Sequence, residues 1–288
     1  MDISTGPQYL KATAGGIDKV AGCKRMLEHG YKYLDMDWYA NTEGELYDVK
    51  NEKELLARAH SLADPILDCG IVIRQVHGPW IGYQLDSTDE GRADRFEKMS
   101  MCLRAAQEIG AKYMAIHPIM PYGDSDEASE EQIRINRDFW TRLAPIAERC
   151  GVIICLENMP FKKPPLSSVP ALCAFVKELD HPYIKMCLDT GHANIFPLSL
   201  GDCVRLIGKE LLAITHVHDN MGKQDEHLHP YSGTADWEGF SDALAEIGYE
   251  GTVNLECSVR PTSYTTHEER VIKELELAAK VKRIARIS

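Results

Sequence analysis

The sequence predicts a closed (β/α)₈ barrel formed by one domain over residues 1–288. Eight short apolar or β-branched runs alternate with eight amphipathic stretches, an order typical of parallel α/β folds. No Pro-, Gly- or Ser-rich linker divides the chain. A doubly wound sheet is the competing fold. The segment after the first strand, STGPQYLKATAGG, lacks the glycine-rich phosphate loop of such sheets, so the barrel is preferred.

The predicted strands are the short runs rich in apolar and β-branched residues. They are DIST (2–5), YKYLDMD (31–37), IVIRQVH (71–77), KYMAIHP (112–118), VIICLEN (152–158), IKMCLDT (184–190), AITHVHD (213–219) and TVNLECS (252–258). Helical periodicity marks the stretches between them. These are residues 16–29, 51–69, 91–109, 128–150, 168–180, 200–210, 236–248 and 266–285.

Capping residues support the predicted helix boundaries. Asn51 and Asp236 stand where a side-chain oxygen can cap the start of a helix. Glycine follows near the end of five predicted helices. These glycines are Gly30, Gly70, Gly110, Gly151 and Gly248.

The composition excludes several classes of protein. A formal net charge of −12 disfavours a surface that attracts nucleic acid or anionic membranes. The longest apolar runs are too short to cross a membrane, and MDISTGPQYL has no basic or apolar region of a secretion signal. The nine cysteines lie mostly within strand-like or helix-like patterns and lack zinc-finger spacing. We therefore expect reduced core thiols in a cytoplasmic protein.

Histidine or an acidic residue stands at the end of seven of the eight predicted strands. These residues are Asp37, His77, His117, Glu157, Asp189, His216 and Glu256. Because His, Asp and Glu make up only 55 of 288 residues, chance is a poor explanation for this pattern. The C-terminal ends of barrel strands carry the active site, so we expect these side chains to converge on one mouth of the barrel.

A divalent cation is the predicted reason for this cluster. Carboxylates and imidazoles gathered without a counter-ion would repel one another and lose their hydration. Mixed His, Asp and Glu ligation without cysteine suits Mn²⁺ or Zn²⁺ best, with Fe²⁺, Co²⁺ and Mg²⁺ as alternatives. Ordinary hydrogen bonding at strand ends is the competing interpretation.

Several motifs resemble the xylose isomerase-like TIM-barrel superfamily. They are LEN (156–158), LDTGH (188–192), HVHDN (216–220), DEH (225–227) and LEC (255–257). That superfamily contains sugar isomerases and epimerases as well as metal-dependent abasic-site endonucleases. The resemblance covers nearly the entire chain, and it is specific for the superfamily rather than for one reaction.

The resemblance implies a shared metal site at Glu157, Asp189, His216 and Glu256. It also implies that Glu157 and Glu256 are the catalytic carboxylates. In the endonuclease branch, Glu157 would bridge two metals and five further residues would bind metal. Those residues are His77, His117, His192, Asp225 and His227.

The sequence leaves other interpretations open for these five residues. His77 and His117 also suit satisfied core histidines. His192 also suits a substrate contact without metal, which is how epimerases of the superfamily use that position. Asp225 and His227 also suit a solvated loop.

A few further residues are predicted to contact substrate or to serve the structure. Trp80 and Phe161 follow strand ends and suit an apolar wall against a sugar, with core packing as the alternative. Lys162 suits a phosphate contact, with a solvated lysine as the alternative. His218 is expected to face the helices as a structural residue, and Asp37 is left outside the site.

A metal-dependent sugar or sugar-phosphate isomerase or epimerase is the preferred function. A cation bound to a carbonyl and a neighbouring hydroxyl acidifies the α-proton by stabilising an enediolate. Two opposed carboxylates can then remove and return that proton. The expected partner is a small carbohydrate rather than nucleic acid or a membrane. The oligomeric state stays open, and a homo-oligomer is one possibility. Lyase chemistry would start from the same enediolate, and the sequence does not distinguish it from isomerisation.

Two other functions compete. An endonuclease IV-like abasic-site endonuclease or phosphodiesterase with a multinuclear zinc site would use all nine candidate ligands. The loops predicted to surround the mouth are acidic and poor in arginine, with Asp86 and Asp219 among the acids, which disfavours a grip on DNA phosphates. A barrel that binds sugar or metal without catalysis is the third candidate.

Overall fold

The computed structural model describes residues 1–10, 19–36, 49, 51–79, 86–257 and 266–287. All eight predicted strands are present within these ranges. They are β1 (Asp2–Thr5), β2 (Tyr33–Met36), β3 (Val72–His77), β4 (Tyr113–Ile116), β5 (Ile153–Glu157), β6 (Ile184–Asp189), β7 (Leu212–His216) and β8 (Thr252–Leu255). Each strand lies inside the run predicted for it, except that β7 begins one residue earlier.

The strands form a parallel barrel. The order of hydrogen-bonded neighbours is β7-β6-β5-β4-β3-β2-β1-β8. An isolated bridge between Val217 and Leu255 brings β7 and β8 together. There, the Val217 amide donates to the Asn254 carbonyl at 2.7 Å, and the Glu256 amide donates to the Val217 carbonyl at 3.0 Å. The predicted (β/α)₈ barrel is confirmed.

The helices occupy the predicted stretches between the strands. They are α1 (Lys19–Glu28), α2 (Glu52–Leu67), α3 (Asp89–Glu108), α4 (Ser129–Cys150), α5 (Val169–Leu179), α6 (Thr190–Asn194), α7 (Leu200–Ile207), α8 (Trp237–Glu246) and α9 (His267–Ile284). Two elements were not predicted, the short helix α6 directly after β6 and a 3₁₀ turn at Pro7–Tyr9. Within the described ranges, no helix has the length and apolar character needed to cross a membrane.

The predicted caps form. Asn51 Oδ1 accepts a hydrogen bond from the Glu54 amide at 2.9 Å, and Asp236 Oδ1 accepts one from the Gly239 amide at 3.0 Å. All five predicted helix-end glycines have positive φ, between 65° and 92°, a region in which other residues are strained. Local sequence signals therefore set the helix boundaries.

Asn51→Ala is expected to lower the free energy of unfolding by about 1 kcal/mol, because the first turn of α2 loses its side-chain cap. Urea denaturation followed by circular dichroism measures this loss. Asn51→Asp is the matched control, since aspartate supplies the same acceptor and should retain most of the stability. Equal stability of the alanine variant and the native protein would show that this cap contributes nothing.

Apolar side chains fill two regions. The larger lies between the barrel and its helices, where Leu34, Val76 and Trp140 are fully buried. The smaller is a layer inside the barrel made by Ala115, Cys155, Cys187 and Ile214. The layer closes the barrel beneath its C-terminal mouth. All nine cysteines are unpaired, and eight of them are buried, as expected for reduced core thiols.

Candidate metal centre

Four predicted ligands converge at the C-terminal mouth of the barrel. Glu157 ends β5, Asp189 ends β6, His216 ends β7, and Glu256 follows β8. One ligand atom from each residue lies within 4.8 Å of the other three. His216 Nδ1 is 2.8 Å from Glu256 Oε2 and 3.3 Å from Glu157 Oε2. We call these four residues the central quartet.

The quartet has the properties of a cation site. Glu157 Oε2, His216 Nδ1 and Glu256 Oε2 are all shielded from solvent, and none forms a hydrogen bond with a described residue. These three atoms contact one another without hydrogen-bond geometry, and buried polar atoms in that position are costly unless a cation lies between them. Three carboxylates and one imidazole suit Mn²⁺ or Zn²⁺. The residues present therefore fit a divalent cation.

Asp35 contacts the ring nitrogen of His216 that faces away from the other quartet residues, a role that the sequence did not predict. Its Oδ2 lies 3.1 Å from His216 Nε2 and accepts hydrogen bonds from Gln75 Nε2 at 2.8 Å and Asn254 Nδ2 at 3.0 Å. A carboxylate on the remote ring nitrogen fixes the imidazole tautomer, which directs the Nδ1 lone pair to the metal side. The sequence placed the strand-end acid at Asp37, which lies outside the described residues.

A second group lies beside the quartet and consists of His192, His218, Asp225 and His227, whose ligand atoms lie within 4.8 Å of one another. Asp225 Oδ2 is 3.3 Å from His192 Nε2 and 3.2 Å from His227 Nε2. The structure thus brings Asp225 and His227 to the site. Whether they bind metal stays a prediction.

His218 occupies a position that contradicts its predicted one. Its ring is fully buried, and its Nε2 lies 3.0 Å from Asp189 Oδ2. The ring stacks on His227 with 4.0 Å between centroids. The prediction that it faces the helices was wrong, because residues two apart on an extended chain point to the same side. Gly191 makes room for the ring, since a Cβ there would stand 2.0 Å from His218 Cε1.

A third group joins His77 and His117 to Glu157. Glu157 Oε2 lies 3.7 Å from His77 Nε2 and 3.6 Å from His117 Nε2. The other oxygen of Glu157, Oε1, lies 3.5 Å from His192 Nδ1. Glu157 is therefore the residue through which all three groups meet.

The two glutamates of the quartet have opposite electrostatic environments. Burial raises the pKa of Glu256, and the nearby carboxylates of Glu157 and Asp189 act in the same direction. Burial also acts to raise the pKa of Glu157, but the positive charge on His216 and the closeness of His216 and His77 to the carboxylate hold that pKa well below its usual range.

Three outer histidines also differ in protonation. Burial lowers the pKa of His117 well below its usual value. Burial opposes a charge on His192, but nearby carboxylates, first that of Asp189, outweigh it and raise the pKa to about 10. Burial also opposes a charge on His227, but the hydrogen bond with Asp225 outweighs it and raises the pKa of His227 to about 9.

Cation uptake by the second group should therefore release protons. His192 and His227 have pKa values above neutrality in the cation-free protein, so both carry a proton at about pH 7 that a metal ion must displace. Affinity is expected to rise with pH until these two groups deprotonate. Calorimetric titration with Zn²⁺ in buffers of different ionisation enthalpy measures the protons released. Asp64→Asn on the helical surface is the control, and proton-neutral uptake would contradict the prediction.

Two acids predicted at the rim are structural. Asp86 is buried against Arg95, with 2.6 Å between Oδ1 and Nη1. Asp219 is buried and accepts hydrogen bonds from the Gly233 amide at 2.9 Å and Trp237 Nε1 at 3.0 Å. These predictions were wrong because the partners of both acids lie elsewhere in the chain. Arg95 neutralises Asp86, whereas the donors to Asp219 in these contacts are uncharged.

The structure shows the surroundings of two of the three residues predicted to contact substrate. Phe161 is half-buried and Lys162 is exposed, both in the loop that follows β5. Trp80 lies outside the described residues. Their roles toward a substrate stay predictions.

Fold and site together define a parallel (β/α)₈ barrel whose C-terminal mouth carries a histidine and carboxylate centre fit for a divalent cation. The chain belongs to the xylose isomerase-like TIM barrel family, whose sequence model matches residues 23–281.

Characterised relatives include sugar epimerases. A D-psicose 3-epimerase of Ruminiclostridium cellulolyticum is 36% identical over 135 residues, which cover 46% of this chain and 42% of that enzyme. The aligned segments span 63%, 42% and 24% of the length of the first three curated relatives. The chain therefore covers less than two thirds of each.

Two solved structures share the fold over nearly the full length. A 3-keto-D-glucoside 4-epimerase from E. coli is 18% identical, with a TM-score of 0.76 and coverage of 98% of this chain and 99% of that one. The IolI protein, solved with a bound zinc atom, is also 18% identical, with a TM-score of 0.75 and coverage of 99% of both chains. At this identity the likeness establishes the fold.

Proposed function

We propose that the protein is a divalent-metal-dependent sugar epimerase or isomerase. The observation that carries the proposal is the convergence of Glu157, Asp189, His216 and Glu256 within 4.8 Å at the barrel mouth. The match to a D-psicose 3-epimerase supports a sugar as the substrate class. The zinc in the structurally similar IolI protein supports a cation in this kind of barrel.

The quartet would hold the cation, and Asp35 would keep His216 oriented toward it. A bound divalent cation would supply a Lewis acid that polarises a substrate carbonyl and acidifies the neighbouring C–H bond. Among the candidate metals, Mn²⁺ and Zn²⁺ suit three carboxylates and one imidazole best.

The two glutamates provide the acid and base that epimerisation needs. Glu157 ends β5 and Glu256 follows β8, and a substrate bound between these strands would have the two carboxylates on different sides. One removes the α-proton from one face, and the other delivers a proton to the opposite face, which inverts the carbon. A proton returned to a neighbouring carbon gives isomerisation instead.

Loss of metal is expected to abolish this activity. The protein is incubated in D₂O with D-psicose, D-tagatose or L-ribulose, and NMR follows deuterium incorporation at the carbon next to the carbonyl. Dialysis against a chelator should stop incorporation, and Mn²⁺ should restore it, because the quartet alone does not acidify the C–H bond. Circular dichroism before and after dialysis controls for unfolding. Undiminished exchange in protein shown to be free of metal would refute the metal dependence.

A phosphodiester hydrolase is the second candidate, and one observation favours it. All nine predicted ligands fall in three adjacent groups that meet at Glu157. Clusters of metal ions are suited to in-line displacement at phosphate. Elemental analysis of protein purified without chelator separates the two: one ion per chain favours the epimerase, whereas three ions together with cleavage of an abasic-site duplex favour the hydrolase.

A further inference from the structure

We infer that the barrel carries a second binding site, for a small oxyanion such as phosphate, at the end opposite the metal centre. A cavity of about 390 Å³ opens there, with Arg74, Tyr113, Ile153, Lys185 and Tyr249 among its lining residues. Arg74 lies in β3 and Lys185 lies in β6, so two different strands each contribute a cation. The site is distinct in position and in charge from the acidic centre at the mouth.

Arg74 is held in place without a carboxylate partner. Its guanidinium carbon lies 5.3 Å from the ring centre of Tyr33 and 5.7 Å from that of Tyr113, which are distances of cation–π contact. Its Nε is shielded from solvent and makes no hydrogen bond with any described residue. The aromatic rings thus fix the position of the charge, and the Nε–H donor remains unused. An arginine fixed in this way is prepared to bind an anion.

The other charges of the cavity leave a positive excess. Lys209 is neutralised by Glu250, with 3.3 Å between Nζ and Oε1. Glu210 is exposed at the edge of the cavity. Lys185, like Arg74, forms no ion pair with a carboxylate in the described part of the chain. The lining thus holds three cations against two carboxylates, an excess of one positive charge in a chain with a net charge of −12, and a bound anion would balance it.

The chemistry of the wall defines the class of ligand. Arginine provides several N–H donors in a fixed plane and lysine adds a mobile charge, a combination that suits the oxygens of phosphate or of a phosphorylated metabolite. Tyr113 and Ile153 add aromatic and apolar surface to the wall. The layer of Ala115, Cys155, Cys187 and Ile214 fills the barrel interior. A ligand in this cavity would therefore not reach the cation of the quartet.

Isothermal titration with inorganic phosphate tests the site. The native protein should show saturable binding in the millimolar range or tighter, and Arg74→Met and Lys185→Met should each weaken it about tenfold or more. Arg142→Met is the matched control, because that guanidinium also lies over an aromatic ring, 4.8 Å from Phe96, but outside the cavity. Glu157→Gln should retain this binding, which separates it from phosphate bound at the metal centre.

Each outcome decides the inference. Absence of saturable phosphate binding in the native protein overturns it, as does equal affinity in the native protein and both cavity variants. Loss of binding in Glu157→Gln alone assigns the anion to the metal centre and also overturns it. If Arg74→Met does not fold by circular dichroism, Lys185→Met alone decides. A parallel titration with glucose 6-phosphate distinguishes a site for free phosphate from one for a phosphorylated sugar.

Discussion

Glu157→Gln is expected to abolish cation binding and to reduce turnover by about 10²–10⁴-fold or more. The reason is the position of Glu157, whose Oε2 faces His77, His117 and His216 within 3.7 Å. An amide at this position keeps the size of the side chain but removes the negative charge that faces these three imidazoles. Elemental analysis measures the metal content, and deuterium exchange at the substrate α-carbon measures the proton transfer.

Glu256→Gln tests the second proton carrier in the same assay. It should also abolish exchange at the α-carbon while the fold stays intact, because Glu256 supplies the carboxylate from the β8 side of the mouth. Glu178→Gln is the matched control for both variants, since Glu178 is an exposed glutamate paired with Arg137 at 2.7 Å on the helical surface. Exchange at the native rate in either active-site variant would refute the assignment of these roles.

Asp35→Asn is expected to weaken binding of the cation by about 10–100-fold, because His216 loses the carboxylate that orients its ring and raises its basicity. Competition with a chromophoric chelator measures the affinity. Saturating metal should restore most of the turnover, since Asp35 contacts a ligand rather than the substrate. Restoration by metal separates a positioning role from a general loss of structure.

Asp138→Asn provides the control for Asp35→Asn. Asp138 is exposed and pairs with Arg142 at 3.1 Å on α4, far from any member of the quartet. Its replacement should leave the metal affinity unchanged. An unchanged affinity in Asp35→Asn as well would show that the hydrogen bond behind His216 has no part in metal binding.

The barrel and the convergence of the ligands were predictable because both depend on local patterns. Parallel strands are buried on both faces and therefore read as apolar runs, as in IICLE of β5. The C-terminal ends of such strands meet at one mouth, so Glu157 and Asp189 were expected together before their distance was known. Helix caps such as Asn51 depend on three or four residues and were equally accessible.

The missed residues depend on partners distant in sequence. Asp35 gains its role from Gln75, His216 and Asn254, which lie on three other strands. One signal was available, since an acid inside the apolar run YLDM needs a buried partner. His218 was missed for a different reason, an error in assigning its face of the strand. Asp86 and Asp219 look like surface acids in sequence because neither Arg95 nor Trp237 is their neighbour in the chain.

The central quartet lies where the barrel closes, and a bound ion there would affect the stability of the closure. Strands β7 and β8 meet through an isolated bridge rather than a ladder, and His216 and Glu256 stand on the two sides of that seam. An ion bound by both residues would link β7 to β8 through coordination bonds. Metal loading would then raise the stability of the closed barrel, because coordination bonds would join two strands that an isolated bridge connects.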